Sequence, residues 1–114
     1  MKSMKKLGVK TRLTIYSGGQ MEHGTLGKGV ATLMRGVVET GSLNAAAKNI
    51  KMAYSKAWRI FKETEAAFGF QLINRDGARG STLTQEGEKL LVTYEQLEAE
   101  AEALVSKRFS ELIR

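Results

Sequence analysis

From Gly29 onward, apolar residues recur at Val30, Leu33, Met34, Val37 and Val38. These i, i+3, i+4, i+7, i+8 intervals predict an amphipathic helix that ends at Gly41. Ser42 is a favourable N-cap for a short second helix, Leu43 to Ile50. Its three consecutive alanines offer a low surface that another helix can approach closely. After the turn at Lys51-Met52, a third helix is expected from about Ala53 to Phe68, stopping at Gly69. On it Ala53, Ala57, Phe61, Thr64 and Phe68 form the inward stripe. Upstream, Val9-Lys10-Thr11-Arg12-Leu13-Thr14-Ile15-Tyr16 alternates with period two and predicts a strand, with a possible hairpin return through Gln20-Met21-Glu22. Downstream, Gln71–Arg75 and Ser81–Leu83 flank the glycine-rich run Asp76-Gly77-Ala78-Arg79-Gly80 and predict a small hairpin. Thr84 is placed to cap a last helix running towards Leu112, although no glutamate follows three residues later to complete a capping box.

These elements predict a mainly α fold with a small β component. It is a winged helix-turn-helix, residues 1–83, with an N-terminal strand or hairpin, continued in the same unit by a long helix over 84–114. On that helix Leu90, Tyr94, Leu97, Ala101 and Leu104 alternate four and three apart, the heptad spacing of a dimer seam. Such a helix could also fold back on its own domain. Dimerisation is the preferred reading because three helices and a hairpin already supply a core. A two-fold dimer would set its two recognition helices about 34 Å apart, or a multiple of that, and would suit a pseudo-palindromic site.

Charge sharpens this layout. The chain of 114 residues carries a formal +6. Residues 48–79 hold Lys48, Lys51, Lys56, Arg59, Lys62, Arg75 and Arg79 against Glu63, Glu65 and Asp76, whereas residues 84–111 hold seven glutamates against Lys89, Lys107 and Arg108. One region is suited to phosphate and the other is not. The expected partner is double-stranded DNA. Candidate contacts are Ser42, Tyr54, Ser55, Lys56, Arg59, Arg75 and Arg79. Arg59 has the geometry for a bidentate bond to guanine, Tyr54 and Ser55 can bond bases or phosphates, and Lys56 is better suited to phosphate. Arg79, at the glycine-flanked hairpin tip, suits a phosphate or a narrow minor groove. Arg75 suits a backbone phosphate or a pair with Asp76. Lys62, Glu63 and Glu65 are read as ordinary exposed polar residues, and Trp58 as packing in preference to stacking on the DNA backbone.

Enzyme chemistry finds no inventory here. There is no cysteine and a single histidine, His23, and no pair of carboxylates in an apolar setting divides acid and base work. No cofactor or metal is expected. No apolar run approaches the ~20 residues of a membrane helix, and the basic N-terminus leads into polar sequence, so a cytoplasmic protein is expected. The alternatives are a winged-helix module that binds another protein and an architectural DNA binder without sequence preference.

The run ETGSLNAAAKNIKMAYSKAW, residues 39–58, resembles the N-terminal domain of ModE-type molybdate-responsive regulators, and the wider LysR-type regulators share the layout. The resembling motifs are Thr40-Gly41-Ser42, Ala46-Ala47, Tyr54-Ser55-Lys56-Ala57-Trp58, Leu72-Ile73-Asn74-Arg75 and Leu83-Thr84-Gln85-Glu86-Gly87. Their order and spacing agree over residues 26–98, and the preceding strand with Leu26-Gly27-Lys28-Gly29 looks more like the ModE type. The resemblance implies DNA binding, a glycine-rich wing and a dimerising helix. The 114 residues contain neither a ModE-type oxyanion-binding domain nor a LysR-type effector domain. The signal is then expected from a separate effector protein, the protein's own abundance or an unrecognised small ligand.

Overall fold

The computed structural model describes residues 6–18, 24–75 and 80–114. Among them, α1 (Lys28–Thr40), α2 (Leu43–Asn49) and α3 (Tyr54–Phe68) precede the antiparallel strands β1 (Ile73–Arg75) and β2 (Ser81–Leu83), and α4 (Gln85–Ile113) follows. This is the expected mostly helical winged helix-turn-helix with a long final helix.

Local chemistry sets the boundaries. Gly41 and Gly69 end α1 and α3, their amides donating to the carbonyls of Val37 and Glu65 at 2.8 Å. Ser42 caps α2 by accepting the Ala45 amide at 3.1 Å. Thr84 caps α4 by accepting the Gly87 amide at 2.9 Å, and its own hydroxyl donates to the Gln71 carbonyl at 2.7 Å. The cap therefore works without a capping box. It also ties the start of α4 to the entry of the wing.

The core is built from Leu26, Val30, Ala31, Leu33, Met34 and Val37 with Leu43, Ala46, Ala47, Ala57 and Phe61, closed by Leu72, Ile73, Leu83, Leu91 and Tyr94. Helices α1 and α2 pack so closely that a Cβ built on Gly36 would lie 2.7 Å from the Cβ of Ala46. The low alanine surface of α2 is thus matched by a glycine on its neighbour. Two stripe positions differ from expectation. Val38 is exposed while Ala31 is buried in its place, and Ala53, the N-cap of α3, is exposed because the helix has not yet turned its side chains inward there.

The N-terminal segment is less regular than the expected strand. Residues 9–14 form no ladder, and pairing is confined to bridges, of which Ile15 and Leu26 exchange two hydrogen bonds of 2.9 Å. The proposed return through Gln20-Met21-Glu22 lies outside the described residues. The segment is nonetheless held, because Thr11 donates its amide to Glu102 at 3.2 Å and Leu13 accepts the Tyr94 hydroxyl at 3.0 Å.

That second bond draws Tyr94 away from the seam that heptad spacing predicts for it. Tyr94 is only 1% exposed, so it is a core residue of its own domain and cannot line a seam with another molecule. Burial raises its phenol above the ordinary tyrosine range, and the nearby Glu98 adds to this. Leu90 is half-buried against the same core. Further along, Leu97 (45%), Leu104 (62%) and Leu112 (70%) are exposed.

Helix α4 leaves the body of the fold after Glu102. Its 29 residues would span about 44 Å at ~1.5 Å per residue. The principal extents are 61 × 31 × 23 Å, and the radius of gyration is 17.1 Å against about 13 Å for a compact chain of this length. Arg35 of α1 holds the base of α4 through two bonds to the Glu95 carboxylate, one of 2.9 Å from Nε. That hydrogen bonding keeps the Glu95 carboxyl below its ordinary range despite opposing partial burial. No helix among the described residues is long and apolar enough to cross a membrane.

Candidate nucleic-acid interface

At about 100° per residue along α3, the buried trio Ala57, Phe61 and Thr64 defines one direction, and Ser55, Arg59, Lys62 and Ala66 fall opposite to it. Lys56 lies on one flank with Ile60 and Glu63. Tyr54 and Trp58 lie on the other with Glu65. The helix is pinned in this rotation from its inner side, where Thr64 donates its hydroxyl to the Ile60 carbonyl at 2.9 Å and contacts the Thr25 carbonyl. All four of Tyr54, Ser55, Lys56 and Arg59 are exposed. Among the described residues neither Lys56, Arg59 nor Lys62 has an ion-pair partner.

The wing is positioned by Glu65, a residue whose sequence context predicts only plain surface. Glu65 is half-buried, and its Oε2 accepts the amides of Leu72 at 2.8 Å and Ile73 at 3.3 Å. This carboxylate fastens the first wing strand to the Tyr54–Trp58 flank of α3. Its only sequence signal is a single acidic residue seven positions before a strand, which is too weak to find in advance. At the other strand, the Ser81 amide donates to the Gly41 carbonyl at 2.8 Å. The wing base therefore abuts the turn before α2, beside Ser42.

Of the residues expected to act together, Ser42, Tyr54, Ser55, Lys56 and Arg59 are described in full. The hydroxyl of Ser42 is engaged as the α2 cap, which leaves its proton to donate outward. Arg75 ends β1 opposite Ser81. Its side chain, and Arg79 entirely, lie outside the described residues. Trp58 is half-buried against the core, as expected of a packing residue, and is also locked edge-to-face against Tyr54, with ring centroids 6.1 Å apart and planes at 86°. No group of three or more potential metal ligands is found among the described residues.

Outward cationic helix, short preceding helix and anchored hairpin coincide with the segment matched by the model for bacterial regulatory helix-turn-helix proteins of the lysR family, residues 32–88, half of the chain. The chain belongs to that family. This lysR-family protein is similar to the CbnR DNA-binding domain crystallised in complex with DNA, at 26% identity and a TM-score of 0.61, over 75% of this chain and 95% of that one. It is also similar to a full-length AphB variant, at 26% identity and a TM-score of 0.54 over 75% of this chain, and spans 29% of that longer protein. No curated protein sequence matches it.

Proposed function

We propose that this lysR-family protein is a sequence-specific regulator of transcription that binds double-stranded DNA as a homodimer and acts in the cytoplasm without catalysing a reaction. The observation that carries this reading is the direction of α3. Its face opposite Ala57, Phe61 and Thr64 presents Ser55, Arg59 and Lys62 to solvent with Lys56 alongside, the arrangement a recognition helix needs in the major groove. Arg59 reads guanine, Ser55 and Tyr54 bond bases or phosphates, and Lys56, with Ser42 at the α2 N-terminus, holds the backbone. Arg75 and Arg79 are assigned to the DNA backbone or the minor groove. The similar CbnR domain, crystallised with DNA, supports the same reading.

The exposed leucines of α4, Leu97 and Leu104 with the half-buried Ala101 between them, support the dimer. A ModE-type affinity within the wider family is a finer proposal. It rests on the approach Leu26-Gly27-Lys28-Gly29, in which Leu26 is fully buried and bridged to Ile15.

Selection of duplexes from a random pool at stated salt tests the function. The expected result is enrichment of one pseudo-palindromic sequence. Binding that falls with salt but enriches nothing would make the protein an architectural binder instead, and no binding at all would favour a protein-interaction module.

A further inference from the structure

The edge-to-face pair of Tyr54 and Trp58 does something that packing alone does not require. Tyr54 is 47% exposed, although a tyrosine seeking only to bury its ring would fold under the helix. Instead its ring stands against the half-buried Trp58, and together they edge an open cleft whose other lining is Ser55, Arg59, Lys62 and, at its far end from the pair, Glu63 of the opposite flank. The cleft is mostly apolar yet lies beside the arginine at the centre of the outward face. Its position is fixed from both sides. Trp58 packs on the core, and Glu65 on the same flank anchors the wing strand.

An apolar shelf beside a guanidinium has one complement in the major groove. Guanine offers acceptors to arginine, while the C5-methyl of thymine is the apolar group that a base pair presents on that edge. We infer that Tyr54 and Trp58 form a specificity pocket for the C5-methyl of a thymine next to the guanine held by Arg59, on the side towards the wing. The inference rests on the DNA-binding reading above and deepens it by naming what one flank of the helix reads. Trp58 supplies the rigid floor and Tyr54 the adjustable wall.

Deoxyuridine differs from thymidine by that methyl alone, so the test is made on the DNA. Each thymine of the selected duplex is replaced in turn by deoxyuridine, and binding is measured at constant salt. At one position in each half-site, affinity should fall about fourfold, the change expected for one methyl-sized group returned to water. Other positions should not respond. Tyr54→Ala and Trp58→Leu, checked for native helix content, should each reduce this discrimination while keeping the preference for the neighbouring guanine. Tight binding of the parent that ignores every replacement overturns the pocket and leaves the DNA-binding reading intact. A methyl effect undiminished in both variants overturns it as well, since the methyl is then read elsewhere. A random pool that yields no enriched duplex overturns the function itself and this inference with it.

Discussion

The Ser81 amide donates to the Gly41 carbonyl at 2.8 Å, so the second wing strand hangs from the turn that opens the helix-turn-helix. The preceding residue, Gly80, has a φ of +105, and a Cβ built there would lie 2.4 Å from that same carbonyl oxygen. Gly80→Ala should therefore cost about 1–3 kcal/mol and displace the wing. Thermal unfolding checks the first expectation. Weaker DNA binding, with the guanine preference retained, checks the second.

Arg59 and Lys56 occupy different parts of the α3 surface, one central and one on the flank. Arg59→Ala should lose about 1–3 kcal/mol on the selected duplex and relax the sequence preference at one position. Lys56→Ala should weaken all duplexes alike and lower the slope of log affinity against log salt by about one. Titrations of chosen and random duplexes at several salt concentrations separate the two. Equal behaviour of Arg59→Ala and the parent on both duplexes would refute the assignment.

Dimerisation is best tested at Leu97 and Leu104. A truncation near Leu90 would remove Leu91 and Tyr94 from the core and so unfold the domain. The double variant Leu97→Glu, Leu104→Glu should sediment as a folded monomer, with unchanged helix content and much weaker binding to a two-half-site duplex. Persistence of a dimer would place the interface elsewhere.

Tyr94 joins α4 to the N-terminal segment through its bond to the Leu13 carbonyl. Tyr94→Phe should cost about 1 kcal/mol and speed proteolysis before Ile15. Because burial raises the folded phenol above its ordinary value, the parent holds its full stability below about pH 10 and loses some as pH rises through the raised folded value. That alkaline loss should be missing in the phenylalanine variant, as measured by urea unfolding across pH.

The Arg35–Glu95 pair should behave in the opposite sense. Its side chains are 37% and 38% exposed, so solvent screening limits the contribution to about 0–1 kcal/mol. Glu95 has a lowered folded pKa, owed first to the bond from Arg35. The stability it contributes is present above the ordinary glutamate range and is lost as pH falls through the lowered folded value. Glu95→Gln should be slightly less stable than the parent at pH 7, and the difference should close in acid.

The alternation of apolar and polar residues, together with glycine and N-cap positions, determined the helices, the wing and their order. These depend on contacts within a few residues and on the periodicity of one backbone. The outward half of α3 was legible for the same reason, since a stripe at Ala57, Phe61 and Thr64 leaves only one direction for Ser55 and Arg59. Only the tertiary structure decided what each stripe packs against. Heptad spacing on α4 reads alike whether a residue faces a second chain or its own core, and Tyr94 went to the core because the N-terminal segment and α1 meet it there. Glu65 and Gly80 acquired their roles from amides and carbonyls distant in sequence or across a turn. The partnership of Tyr54 with Trp58 likewise needed the rotation of α3 that the core imposes.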